Sequence, residues 1–167
     1  MQIYGVSFDL VGKQPIVLLK TADGNKFLPI WIGHPEAAAI LMKLQSASTP
    51  RPMTHDLVTD MLEQLGAHVT RITVTELREN TFYAQITVQL DGSEIEVDSR
   101  PSDAIALAIR ADAPIFAADE VIEESAIEFE GEEINHEDLE KEVSKFKQFL
   151  DEVTPDEFAA TEEDEEA

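Results

Sequence analysis

The negative charge of this chain is gathered at one end, and that partition fixes which residues can build a core. Residues 119–167 hold 21 acids and 3 bases, whereas residues 1–118 hold 14 acids and 9 bases. The first stretch is therefore at −5 and the second at −18, which together give the −23 of the whole chain. A run as acidic as residues 159–167 buries too little apolar surface to offset the entropy of ordering it. Folding falls to the first ~120 residues, a length that suits one domain with its own core. We expect a domain over residues 1–127, an acidic linker with an amphipathic helix over 128–158, and a disordered acidic tail over 159–167.

Within the first stretch, turn residues and hydrophobic periodicity divide the chain into two strand meanders separated by helices. Ile3, Val6, Phe8 and Leu10 are the inward candidates of a first strand, and Pro15–Leu19 is a continuous apolar run that reads as a buried second strand. Ala22-Asp23-Gly24-Asn25 is turn chemistry, and a third strand runs from Lys26 to Ile32, with Pro29 marking an edge or a bulge. From His34 or Pro35 the residues through Leu44 are good helix formers. A second helix is expected from Thr54, as N-cap, to Leu65, with Leu57, Met61, Leu62 and Leu65 on one face and Gly66 at its end. Three further strands follow, over residues 69–77, 81–90 and 94–98, turned at Glu79-Asn80 and Asp91-Gly92. Pro101 opens a third helix, 113–116 is a short extended piece, and 119–125 is a short helix. The pattern βββαα–βββα–β predicts an α+β fold of mainly antiparallel meanders with helices packed against them. Leu139, Val143, Phe146 and Leu150 add a C-terminal amphipathic helix, which either folds back on the domain or binds a partner.

Several function classes are disfavoured. There are no cysteines, so no thiolate metal site and no cysteine nucleophile exist. The N-terminus lacks the basic and apolar regions of a signal peptide, and no apolar run approaches the ~20 residues of a membrane span. We therefore expect a cytoplasmic protein with no membrane association. The acidic balance argues against broad electrostatic binding of nucleic acid while leaving room for a small site with a few placed cations. His34, His55, His68 and His136 show no zinc-ligand spacing, and no glycine-rich phosphate loop is present.

Two segments concentrate charge beside proline: Arg51-Pro52-Met53-Thr54-His55-Asp56 and Asp98-Ser99-Arg100-Pro101-Ser102-Asp103. Each holds an arginine extended before proline, then supplies a hydroxyl and a carboxylate at a helix start. Free N–H groups and the positive dipole end make such a start an anion site, and the guanidinium fork matches phosphate. Structurally, Thr54 and Ser102 are ordinary caps, Asp56 and Asp103 are first-turn acids, and the arginines pair across as Arg51–Asp103 and Arg100–Asp56. Functionally, the two segments converge. Arg51, Arg100, Thr54 and Ser102 then bind a phosphate-bearing substrate, and His55, Asp56 and Asp103 carry catalysis. In Trp31-Ile32-Gly33-His34-Pro35-Glu36, His34 and Glu36 are a third acid–base candidate, though Glu36 reads equally as a first-turn helix acid and Trp31 as core. Glu36 and Asp98 are the oxygen ligands for Mg²⁺ or Mn²⁺. That inventory suits phosphodiester hydrolysis.

Taken in order, these pieces resemble the bifunctional nuclease domain family over about residues 1–127. The resemblance rests on Leu28–Gly33 with Glu36-Ala37, on Arg51-Pro52 with Thr54–Leu57, on Thr81–Ala84, on Asp98–Ala108 and on Ala113–Phe116. It implies an α+β domain, self-association, and nuclease action on DNA and RNA. Many bacterial relatives carry an excision-repair-type helical motif after the domain. Here the Phe146/Phe149 helix and the acidic end stand instead, resembling the actinobacterial type. We expect a nuclease that forms homo-oligomers, with nucleic acid as substrate and a protein partner for the C-terminal helix. The rival expectation is a non-catalytic oligomeric binding or regulatory module whose Arg-Pro clusters hold subunits or a small anionic ligand.

Overall fold

Two tight turns set the second meander. Glu79 and Asn80 both adopt positive φ (49° and 56°), as do Asp91 and Gly92 (50° and 79°). Each pair is a two-residue loop between directly opposed residues, Arg78 with Thr81 and Leu90 with Ser93. Positive φ at both central positions gives the turn whose twist matches a right-handed hairpin. The computed structural model describes residues 1–9 and 12–128. The C-terminal helix and tail expected over residues 128–167 lie, from Phe129 onward, outside the described residues, as does Leu10. Met1–Phe129 forms one compact unit.

The first meander is β1 (Gln2–Asp9), β2 (Gln14–Lys20) and β3 (Lys26–Trp31). Helices α1 (His34–Leu44) and α2 (Thr54–Gln64) follow, then β4 (His68–Arg78), β5 (Thr81–Leu90) and β6 (Ser93–Ser99). Helix α3 (Pro101–Ala111), the short strand β7 (Ile115–Ala117), helix α4 (Asp119–Ser125) and β8 (Ile127–Glu128) complete the described chain. There are two four-stranded sheets, ordered β1-β2-β3-β8 and β6-β5-β4-β7. The fold is α+β, and the pairings are antiparallel except β4 with β7. That exception arises because α3 carries the chain from one edge of the second sheet to the other.

Pro29 sits where it can be tolerated. β8 pairs only with Lys26 and Phe27, so β3 is an edge strand from Leu28 onward and the missing N–H breaks no ladder there. β2 is buried from Pro15 to Leu19, as its apolar run requires. β1 departs from the expected pattern. A bulge between Ile3 and Gly5 breaks its alternation, and Phe8, expected inside, is half exposed on this outer strand.

Helix α3 is the centre of the core. Ala104, Ile105, Ala106 and Ala108 are fully buried, and the helix lies against α1, α2, β4 and β5. Its alanines admit neighbours on several sides at once. Directly opposed residues of antiparallel strands share a face. Val69, Val88 and Ile95 therefore form one row toward the core, and Ile72, Ile86 and Val97 form another. α3 packs on β4 and β5, and Ile95 and Val97 of the outer strand β6 are exposed at the end of each row.

The cap assignments are corrected at two helix starts. Met53, not Thr54, is the extended N-cap of α2, and Thr54 is its first helical residue. Arg100 is the N-cap of α3, with Pro101 first and Ser102 second, so neither hydroxyl caps its helix. Gly66 ends α2 as expected: φ is +74°, its N–H donates to the Glu63 carbonyl (3.0 Å), and that of Ala67 donates to Leu62 (2.9 Å). The apolar stripe of α2 is largely turned outward. Leu57, Met61 and Leu65 are 51 %, 56 % and 71 % exposed, and Leu62 alone of the four leans on the core.

If α3 is packed this closely, Ala106→Leu is expected to lower stability by about 1–3 kcal/mol. Urea unfolding measures it. An unchanged midpoint would mean that the helix has room for a larger side chain.

Candidate functional site

The starts of α2 and α3 meet at one cleft of about 340 Å³, together with a face of α1 from Pro35 to Lys43 and the loop before α2. Backbone geometry aims the side chains. Arg100 is extended (φ −69°, ψ 143°) ahead of Pro101, as a residue before proline is driven to be. Met53 is likewise extended (φ −79°, ψ 174°), and its N–H donates to Asp56 Oδ2 at 2.9 Å, the return bond of a capping box.

Asp103 lies at the junction of the two segments. Its Oδ1 faces His55 Nε2 at 2.9 Å, and its Oδ2 accepts from Arg100 Nε at 2.9 Å. A carboxylate only accepts, so Nε2 carries a hydrogen, and in the neutral imidazole Nδ1 is then the acceptor. Arg100 Nη2 also donates to Glu36 Oε1 at 2.8 Å, which brings the start of α1 into the same chain of contacts. The bonds to Asp103, and then to Glu36, raise the Arg100 pKa above its ordinary value. The Arg100 side chain remains 65 % exposed. Gly33, just ahead of α1, leaves space for the Glu36 carboxylate, which a Cβ there would strike.

Asp56 has a different partner. Its Oδ1 accepts from Arg110 Nε at 2.6 Å, and Arg110 also donates to the carbonyls of Ala39 (3.1 Å) and Ala106 (2.9 Å). The Arg110 side chain is only 5 % exposed. Its guanidinium thus joins α1, α2 and α3. The Asp56 carboxyl is held below its ordinary range, first by the Met53 N–H and then by Arg110. The expected cross-pairs Arg51–Asp103 and Arg100–Asp56 are thereby corrected: Arg100 serves Asp103 and Glu36, and Arg110 serves Asp56. Arg110 was missed in the sequence. The available signal was its spacing of seven from Asp103, which places both on one face of α3.

Of the residues singled out earlier, Glu36, Thr54, His55, Asp56, Arg100 and Asp103 line the cleft. Arg51 is exposed in the loop before α2, and Ser102 is buried in the first turn of α3; neither lines it. Of the two expected metal ligands, Glu36 is bonded to Arg100, and Asp98 is exposed on β6 away from the cleft. Among the described residues no group of three or more His, Asp or Glu is placed to hold a metal ion. What the cleft brings together is an aspartate-paired histidine beside an accessible arginine.

Residues 17–130 match the model of the Bifunctional nuclease domain. The chain belongs to that family. Among its relatives is the Mycobacterium tuberculosis protein named Uncharacterized protein Rv1829, 39 % identical over 164 residues, which are 96 % of this chain and 98 % of the relative. Bifunctional nuclease 1 of Oryza sativa subsp. indica is 32 % identical over 103 residues, 59 % of this chain and 31 % of the plant protein. Bifunctional nuclease 1 of Arabidopsis thaliana is 30 % identical over 105 residues, 60 % and 32 % of the two chains. The plant likeness is thus confined to part of each chain, whereas the mycobacterial likeness extends through nearly all of both. Among the described residues no helix is long and apolar enough to cross a membrane.

The depressed Asp56 pKa gives a pH test. Asp56→Ala strips Arg110 of a charged partner and is expected to cost about 1–2 kcal/mol at neutral pH, since Asp56 is partly solvated. A carboxyl whose folded pKa lies below its unfolded value stabilises fully above the unfolded value, near 3.8, and loses that contribution as pH falls through the folded one. The stability gap between wild type and variant should therefore be full at neutral pH and shrink below about pH 4. A gap that persists into strong acid would rule out the ionised pair as its source.

Proposed function

We propose that this chain hydrolyses phosphodiester bonds in nucleic acid at the cleft between α1, α2 and α3. The reading is carried by the 2.9 Å contact between His55 Nε2 and Asp103 Oδ1, formed beside the exposed Arg100 guanidinium. Family membership supports it, as do the plant relatives named bifunctional nuclease.

In this mechanism His55 Nδ1 takes a proton from water as the water oxygen attacks phosphorus, Asp103 stabilises the imidazolium that forms, and the P–O bond to the leaving sugar oxygen breaks as that oxygen takes up a proton from solvent water. Arg100 faces the phosphoryl oxygens as negative charge builds on them. Glu36 fixes the guanidinium plane, and Asp56, through Arg110, fixes the start of α2 on which His55 and Thr54 stand. Thr54 offers a hydroxyl to the substrate. Arg51 contributes from the loop as an exposed cation, and Ser102 supports the first turn of α3 from below. Surfaces available for self-association are the exposed apolar residues of α2 and the free edge of β6, which carries Ile95 and Val97.

A second reading is a binding module without turnover. It is favoured by one observation: each carboxylate lining the cleft is already paired, Glu36 and Asp103 with Arg100 and Asp56 with Arg110. Turnover separates the two. Wild type, His55→Ala and Asp103→Asn should be purified in parallel and assayed on single-stranded DNA and RNA, with circular dichroism as the folding check. We expect both variants to keep the fold and to lose about 10²–10⁴-fold in kcat. Turnover equal to wild type in both folded variants would sink the hydrolytic reading.

A further inference from the structure

We propose that Phe8 and His34 form a stacking platform for one unpaired nucleobase of the strand held in the cleft, so that the substrate class is single-stranded rather than duplex nucleic acid. This rests on the phosphodiester reading of the cleft and extends it to a surface outside the cleft lining.

The observation is a half-exposed phenylalanine where the strand pattern calls for a buried one. Phe8 is 50 % exposed on the outer strand β1. It lies opposite Pro15, whose carbonyl accepts the Ile32 N–H at 3.0 Å, and this brings the end of β1 against the turn between β3 and α1. Its ring meets that of His34 edge to face, with centroids 5.5 Å apart and planes at 64°. An edge-to-face contact engages one edge and one face of the two rings, and Phe8 keeps half of its surface exposed. His34 opens α1, whose next two residues, Pro35 and Glu36, line the cleft, and Glu36 holds Arg100. Exposed aromatic surface thus lies within one helical turn of the partner of the phosphate-facing guanidinium.

An aromatic face beside a cation is the arrangement that binds single strands. Stacking accepts any base, because every base has a π face, and the cation engages the backbone. In a duplex the bases already stack on one another and pair, so no face is free to leave the helix for Phe8. The acidic balance of the chain adds to the need for such a contact, since broad electrostatic attraction is missing to supply affinity.

The test measures binding and cleavage separately, on the full chain. Fluorescence anisotropy is read with three labelled DNA probes: a mixed-sequence single strand, the same strand annealed to its complement, and a single strand of abasic residues. The variants are Phe8→Leu, which keeps apolar bulk without a ring, and Phe8→Tyr, which keeps the ring. Wild type should prefer the mixed single strand. Phe8→Leu should weaken that binding about tenfold and leave abasic binding unchanged, while Phe8→Tyr stays near wild type. Equal affinity of wild type for all three probes, no binding to any, or a Phe8→Leu variant as tight as wild type overturns the platform. Cleavage of the same probes reports on the hydrolytic reading by itself. Turnover that is indifferent to Phe8 and to strandedness leaves hydrolysis standing without the platform. Phe8-dependent binding with no turnover leaves the platform standing without hydrolysis.

Discussion

Arg110 fastens three helices at once. Its guanidinium reaches a carbonyl of α1, the Asp56 carboxylate of α2 and a carbonyl of its own helix, and it is almost wholly withdrawn from solvent. A buried guanidinium is tolerable only when its donors are satisfied. The position of α2 is therefore constrained by charge as well as by shape. This explains the inverted appearance of that helix. Its first turn gives polar side chains to α3, and Leu57, Met61 and Leu65 are left facing outward. The same orientation brings His55 within bonding distance of Asp103.

The cleft is built as a chain of shared charges. Asp103 divides its two oxygens between His55 and Arg100, and Arg100 divides its donors between Asp103 and Glu36. No carboxylate lining it stands alone. Arg100 is thereby held in a fixed orientation by Glu36 and Asp103. Backbone geometry supports this arrangement from both sides. Pro101 fixes the chain at Arg100, and Asp56 caps its own helix while paired to Arg110.

The sequence by itself determined the local structure. Turn residues with positive φ at Glu79-Asn80 and Asp91-Gly92, the helix-ending Gly66, and the apolar run of β2 each act through near neighbours, and each reappears where the pattern put it. The α+β class followed from those local signals, and the charged character of the two Arg-Pro segments was visible as well. Tertiary structure alone decided which charges meet. Arg100 took Glu36 as well as its neighbour Asp103, Arg110 took Asp56, His55 met Asp103, and the stripe of α2 turned outward, because apart from the local Arg100–Asp103 pair these contacts join groups 48 to 64 residues apart along the chain and depend on how α3 is seated among its neighbours. Spacing along a sequence carries no information about those distances. Only the packed core supplies it.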